Sequence, residues 1–343
     1  MSLKLGVLDQ SPIAEGSTPA QALRQTLDLA ELVDALGYHR YWVAEHHATP
    51  ALACAAPEIL IGAIAPRTQR IRVGSGGVML PHYSPLKVAE TFSSLSGLHP
   101  ERIDLGLGRA PGTDPMTMMA LQRDRSRPAP DDFIEQLVEL LGLLEDRLPP
   151  NHPFARHAGT LPGLPERPEP WLLGSSPQSA LWAAELGLPY SFADFINPQG
   201  ASIAADYRGR FVDSERLAAP LVSVGVIAIC ADTDEEAERL AASSRMMLSL
   251  LRQGRLIEIP PVEKALRYLE TRSPGKSDRR AVIGSPERVR TGLEAVAAEY
   301  GADELLVLTI THDHAARRRS YELIAEAFGL AEAQPSSSVA TPR

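Results

Sequence analysis

Glu45-His46-His47 sets a carboxylate beside two imidazoles at the end of a short apolar run, Arg40–Ala44. Histidine ordinarily titrates near neutrality, so this run can move a proton, hold a metal ion or serve as a buried hydrogen-bonding post. Successive strand side chains point to opposite faces. His46 and His47 therefore share a site only if the strand has ended before them. The metal reading would add His82 and Asp104 as ligands, but no i, i+4 histidine pair or carboxylate-rich motif accompanies them.

Two further stretches have the composition of a ligand floor. Val73-Gly74-Ser75-Gly76-Gly77-Val78-Met79 places three glycines in one strand. Glycine there costs entropy and packing, so it marks either a close ligand approach or a tight barrel corner. In Arg102–Gly108 the residues Ile103, Leu105 and Leu107 share one face and Asp104, Gly106 and Gly108 the other. Arg109 follows, a fork of donors suited to a phosphate or to a surface ion pair. Gly174-Ser175-Ser176-Pro177-Gln178-Ser179 opens a helix. Hydroxyls at a helix N-terminus either cap it or, with the free N–H groups, bind an anion.

These residues need a frame that brings them together. Eight apolar runs read as strands, at Leu3–Leu8, Arg40–Ala44, Ile71–Leu80, Arg102–Gly108, Trp171–Gly174, Tyr190–Ala193, Leu221–Cys230 and Glu304–Thr309. Helical periodicity follows most of them, at Pro19–Leu36, Pro57–Ala65, Pro85–Leu98, Asp131–Leu148, Ser176–Leu186, Asp234–Leu251, Pro286–Tyr300 and Ala315–Phe328. Asp9-Gln10-Ser11-Pro12 after the first strand is not a dinucleotide-binding glycine turn, which favours a closed (β/α)8 TIM barrel over an open sheet. In such a barrel the active site lies at the strands' C-terminal ends, so the polar residues just past each run are the ones to weigh.

Two excursions break the alternation: a proline-rich stretch from Arg147 to Pro170, expected to be neither helix nor inner strand, and Gly254–Arg280 after the seventh strand, with one possible helix at Val262–Thr271. The second is a lid or a passive insertion. Residues 1–330 read as one domain and 331–343 as a disordered tail.

With 44% hydrophobic and 22% charged residues the chain can bury a sizeable core, and its net charge of -9 argues against a nucleic-acid footprint. Two cysteines, Cys54 and Cys230, supply no disulfide framework, and no signal peptide or membrane span is evident. A cytoplasmic protein acting on a small molecule is expected.

Taken in order, EHH, VGSGGVMLPHYSP, RIDLGLGRAPG and LLGSSPQSALWAAELGLP resemble the bacterial-luciferase-like monooxygenase family from about Leu3 to Phe328. The resemblance implies a homodimeric flavoprotein oxidoreductase of the small luciferase-like kind, taking reduced FMN from a separate flavin reductase and using O2 on a small organic substrate. A deazaflavin coenzyme with hydride transfer is the alternative in the same fold, and a flavin-binding protein without turnover is another. It further implies a phosphate grip by Arg109, Ser175, Ser176 and Ser179, a proton-handling His46, and a non-proline cis peptide at Gly76–Gly77 beside the ring. His47, His82 and Asp194 become candidate substrate contacts. Two positions depart from the family: Gly108 stands where the luciferase chain has a reactive cysteine, and Asp194 where near relatives have a histidine.

Overall fold

A computed structural model describes residues 3–109, 114–122, 124–127, 130–271 and 280–330. Among them the strands are β1 (Lys4–Asp9), β2 (Arg40–Val43), β3 (Arg72–Met79), β4 (Ile103–Gly108), β5 (Glu169–Gly174), β6 (Tyr190–Ala193), β7 (Val222–Cys230), β8 (Ala281–Gly284) and β9 (Glu304–Leu308). They pair in parallel in the order β6-β5-β4-β3-β2-β1-β9-β7, and a β6–β7 pairing closes the ring. The eight-stranded barrel expected from the sequence is therefore present.

β8 is additional and lies outside the ring. β7 is long: Ser223–Ile227 pairs with β9, while Ile227–Cys230 runs past the barrel and takes β8 as its partner. In the sequence these four residues lie unassigned between the second excursion and the helix that starts at Pro286. A second correction concerns Pro170, which lies inside β5 opposite Leu105 instead of before the strand. Near a strand's start the missing N–H is tolerated.

The helices are α1 (Pro19–Ala35), α2 (Pro57–Ile64), α3 (Pro85–Leu98), α4 (Pro115–Leu121), α5 (Phe133–Glu145), α6 (Ala155–Ala158), α7 (Pro177–Glu185), α8 (Ala201–Arg210), α9 (Asp234–Leu251), α10 (Val262–Glu270), α11 (Pro286–Tyr300) and α12 (His314–Phe328). Their starts are chemically marked. The Thr18 hydroxyl accepts from Gln21 N ahead of α1, and the Thr233 hydroxyl from Glu236 N ahead of α9, whose first turn is acidic. The proline-rich excursion does contain a helix after all, the single turn α6. The short α4 and the weakly amphipathic α8 were likewise not anticipated. The expected tail, 331–343, lies outside the described residues.

The main core lies between barrel and helices, where Val7, Tyr41, Val73 and Leu105 from the strands meet Leu29, Ile61, Phe92 and Leu140 from the helices. The barrel's floor is polar. Arg40 reaches Asp104 at 2.6 Å and Glu304 at 2.8 Å, Trp42 Nε1 donates to Asp104 at 2.8 Å, and Arg72 Nε does so at 2.8 Å. These buried charges are paired and hydrogen-bonded, which offsets their desolvation. Above the opposite end, Ile259 is tied to the β1–α1 loop: its N–H donates to Ile13 O and its carbonyl accepts from Glu15 N, each at 2.8 Å. This part of the Gly254–Arg280 excursion is thus pinned over the barrel mouth. Among the described residues no helix is long and apolar enough to cross a membrane.

Candidate active site

A cavity of about 470 Å³ opens at the C-terminal ends of the strands. Each barrel strand contributes, and the contributions reflect where the strands stop. β2 ends at Val43, so His46 and His47 lie in the loop beyond it and escape strict alternation. His46 lines this cavity, while His47 lines a neighbouring one.

Glu45 holds the loop in shape. Its buried carboxylate accepts from Met79 N at 2.9 Å and from the Tyr83 hydroxyl at 2.8 Å, and faces His47 Nε2 at 2.5 Å. The carboxylate is thereby spent on orientation. The His46 backbone N–H donates to Cys54 O at 2.8 Å, yet its buried side-chain Nδ1 has no partner among the described residues. Burial pushes this imidazole down to about 4, His47 adding to the effect and the Ala44 carbonyl opposing it. His46 is therefore neutral at pH 7, a base or hydrogen-bonding group and not a resident acid.

The opposite wall comes from β4, β5 and α7. Arg109 extends from the end of β4 and its guanidinium lies 5.6 Å from the centre of the Trp182 ring on α7. Ser175, Ser176 and Ser179 line the same space. Ser176 caps α7, accepting from Ser179 N at 3.4 Å, and the Ser179 hydroxyl donates to Ser176 O at 2.8 Å and sits 3.0 Å from the Tyr190 hydroxyl. Capping is thus real, and it leaves the helix's positive end beside an arginine. Gly174 is required for this fit, since a Cβ on it would lie 2.2 Å from Ser179 Oγ.

Gly76 and Gly77 form the floor, and the peptide between them is cis. A Cβ on Gly77 would lie 2.7 Å from the Gly106 carbonyl oxygen. Leu8, Trp42 and Leu306 close the cavity towards the barrel interior.

Three residues singled out in the sequence fall elsewhere. His82 lies in a single tight turn after β3 and meets His47 edge-on, with ring centres 5.8 Å apart, and it lines neither cavity. Asp194 is fully buried away from the cavity, accepting from the Tyr300 hydroxyl at 2.8 Å with Arg280 Nε at 3.5 Å. Asp104 belongs to the floor's ion network, far along its strand from the mouth. Conversely, Gln10, Phe195 and Ile196 line the site without having been anticipated. For Gln10 the signal was only a polar residue directly after β1.

The model of the luciferase-like monooxygenase family matches residues 3–304. The chain belongs to that family. It is 41% identical over 327 residues to a luciferase-like monooxygenase of Escherichia coli (strain K12), covering 94% of this chain and 96% of the relative. It is 37% identical over 336 residues to the N-acetyl-S-alkylcysteine monooxygenase of Bacillus subtilis (strain 168), covering 95% and 98%. Among solved structures, apo-MsnO8 superposes with a TM-score of 0.89 at 42% identity, covering 97% of this chain and 99% of that one.

Proposed function

We propose that this luciferase-like monooxygenase binds reduced FMN in the large cavity and uses O2 to oxygenate a small organic substrate. One observation carries the reading: a single cavity joins an arginine and three serines at the capped start of α7 to an unpartnered buried imidazole nitrogen, over a floor of two glycines. The donor set suits a phosphate at one side and a flat ring at the other.

When bound, reduced FMN would supply the two electrons that let O2 deliver one oxygen atom to the substrate and the other to water. The chain's own part is to hold and to exclude. Arg109 and the serines at 175, 176 and 179 take the phosphate, and Gly76 and Gly77 leave room for the ring. Leu8, Trp42 and Leu306 keep water from the barrel side. Neutral His46 takes or shares a proton at Nδ1. A separate flavin reductase supplies the reduced flavin, and the chain works as a cytoplasmic homodimer.

The test is anaerobic titration with reduced FMN, followed by admission of oxygen. Saturable binding and a protein-dependent change in the rate of flavin reoxidation are expected. Tight binding of a deazaflavin coenzyme instead, with no oxygen uptake, would sink the proposal and favour hydride transfer.

A further inference from the structure

A second cavity, of about 400 Å³, adjoins the first and shares Gln10, His46, Phe195 and Ile196 with it. Its size is that of a small-ligand pocket. Its character differs from the first. Met247, Leu248 and Leu251 of α9, with Leu256 beyond it, form one wall, and Ile227 within β7, with Leu308 and Ile310 at and just past the end of β9, forms another. Gln10 and His46 are the polar residues common to the two spaces, so a group reacting with a flavin in the first while its body occupies the second must pass between them.

We propose that this second cavity is the substrate compartment and that it selects uncharged aliphatic molecules over anions of equal length; the inference rests on the flavin reading above. Three observations support it. The wall built by α9, β7 and β9 is aliphatic, with Thr49 and His47, whose Nε2 faces the Glu45 carboxylate at 2.5 Å, on the β2 side, and an anion leaving water for such a wall loses hydration unless a cation meets it. Among the described lining residues there is no lysine or arginine. The one formal charge of fixed sign is negative: Asp114, which also borders the cavity, caps α4 by accepting from Met116 N at 2.9 Å and from the Thr117 hydroxyl at 2.6 Å. That carboxylate repels a second anion. Arg109, the cation of the first cavity, is committed to the phosphate side.

The test is calorimetric binding of 1-octanol and of octanoate to the FMN-loaded protein, with FMN affinity measured separately. 1-Octanol is expected to bind at least about tenfold more tightly than octanoate. Leu248→Trp, which fills the compartment, should weaken 1-octanol by about tenfold or more while FMN affinity stays within about twofold. Leu248→Ala should instead shift the preference towards 1-decanol, which keeps the test decisive if the tryptophan variant does not fold. Equal binding of octanoate, no binding of 1-octanol, or an unchanged chain-length preference in Leu248→Ala would each overturn the selectivity while FMN still binds. Failure of FMN to bind the wild type would overturn the flavin reading and the assignment of a substrate compartment together.

Discussion

Replacing His46 by asparagine tests the electrostatics of the site quantitatively. In the unfolded chain this histidine takes up its proton near the ordinary value of about 6.5. In the fold, burial lowers that value to about 4. Between the two, the unfolded state binds more protons, so His46 contributes stability that is present above about 6.5 and is lost as the pH falls towards 4. With these two values the loss works out to about 2 kcal/mol between pH 7 and pH 5. Urea unfolding of wild type and His46→Asn at both pH values isolates the change made at this position, because His39 and other titrating groups remote from it cancel in the difference of differences. Wild type should lose about 2 kcal/mol more than the variant on acidification. Parallel behaviour within about 0.5 kcal/mol would refute the buried, neutral imidazole. Kinetics offers a second check. The variant should lose about 10²–10⁴-fold in kcat/KM if His46 handles a proton. The wild-type acid limb should appear near 4 and not near 6.5.

Three other outcomes follow from the same geometry. Arg109→Ala should weaken FMN by about 10–100-fold but riboflavin little, measured by flavin fluorescence titration; equal weakening would show that the guanidinium does not hold the phosphate. Gly174→Ala should loosen FMN and cost about 1–3 kcal/mol in stability, since the new Cβ would lie 2.2 Å from Ser179 Oγ, and an unperturbed melting curve would count against that close fit. Ile59 on α2 and Leu98 on α3 are 69% and 72% exposed, which suits an interface between two copies. Ile59→Glu is expected to convert a dimer to a monomer in light scattering, and a monomeric wild type would remove the dimer from the proposal.

The barrel was legible because its strands are short apolar runs spaced by helices, a pattern that closure of a parallel sheet requires. β8 escaped notice because only the surplus length of β7 creates a place for it. In the site, His46, Gly76, Gly77, Arg109 and the three serines were legible as unusual residues just past strand ends, and the structure brings them into one cavity. His82, Asp194 and Asp104 had the right chemistry in the wrong place. Each was claimed by a tertiary partner, a histidine ring, a tyrosine hydroxyl and two arginines respectively. No reading of residue type could have revealed those partners.

The two cavities also explain why cofactor chemistry is easier to read than substrate choice. Gripping a phosphate and sparing room for a ring demand residue types that core packing rarely supplies at strand ends, namely arginine, clustered serines and adjacent glycines. Holding an aliphatic body demands only leucine, isoleucine and methionine, which in sequence are indistinguishable from core. Met247 and Ile310 are 5% and 2% exposed and would pass as ordinary packing, yet they line the space beyond His46. With substrate assigned to the second cavity as proposed, its preference follows from where α9 and the segment pinned at Ile259 are held over the barrel, so substitutions at Leu248, Leu251 and Leu256 should change selectivity while leaving the proposed flavin grip at Arg109 and Ser175–Ser179 untouched.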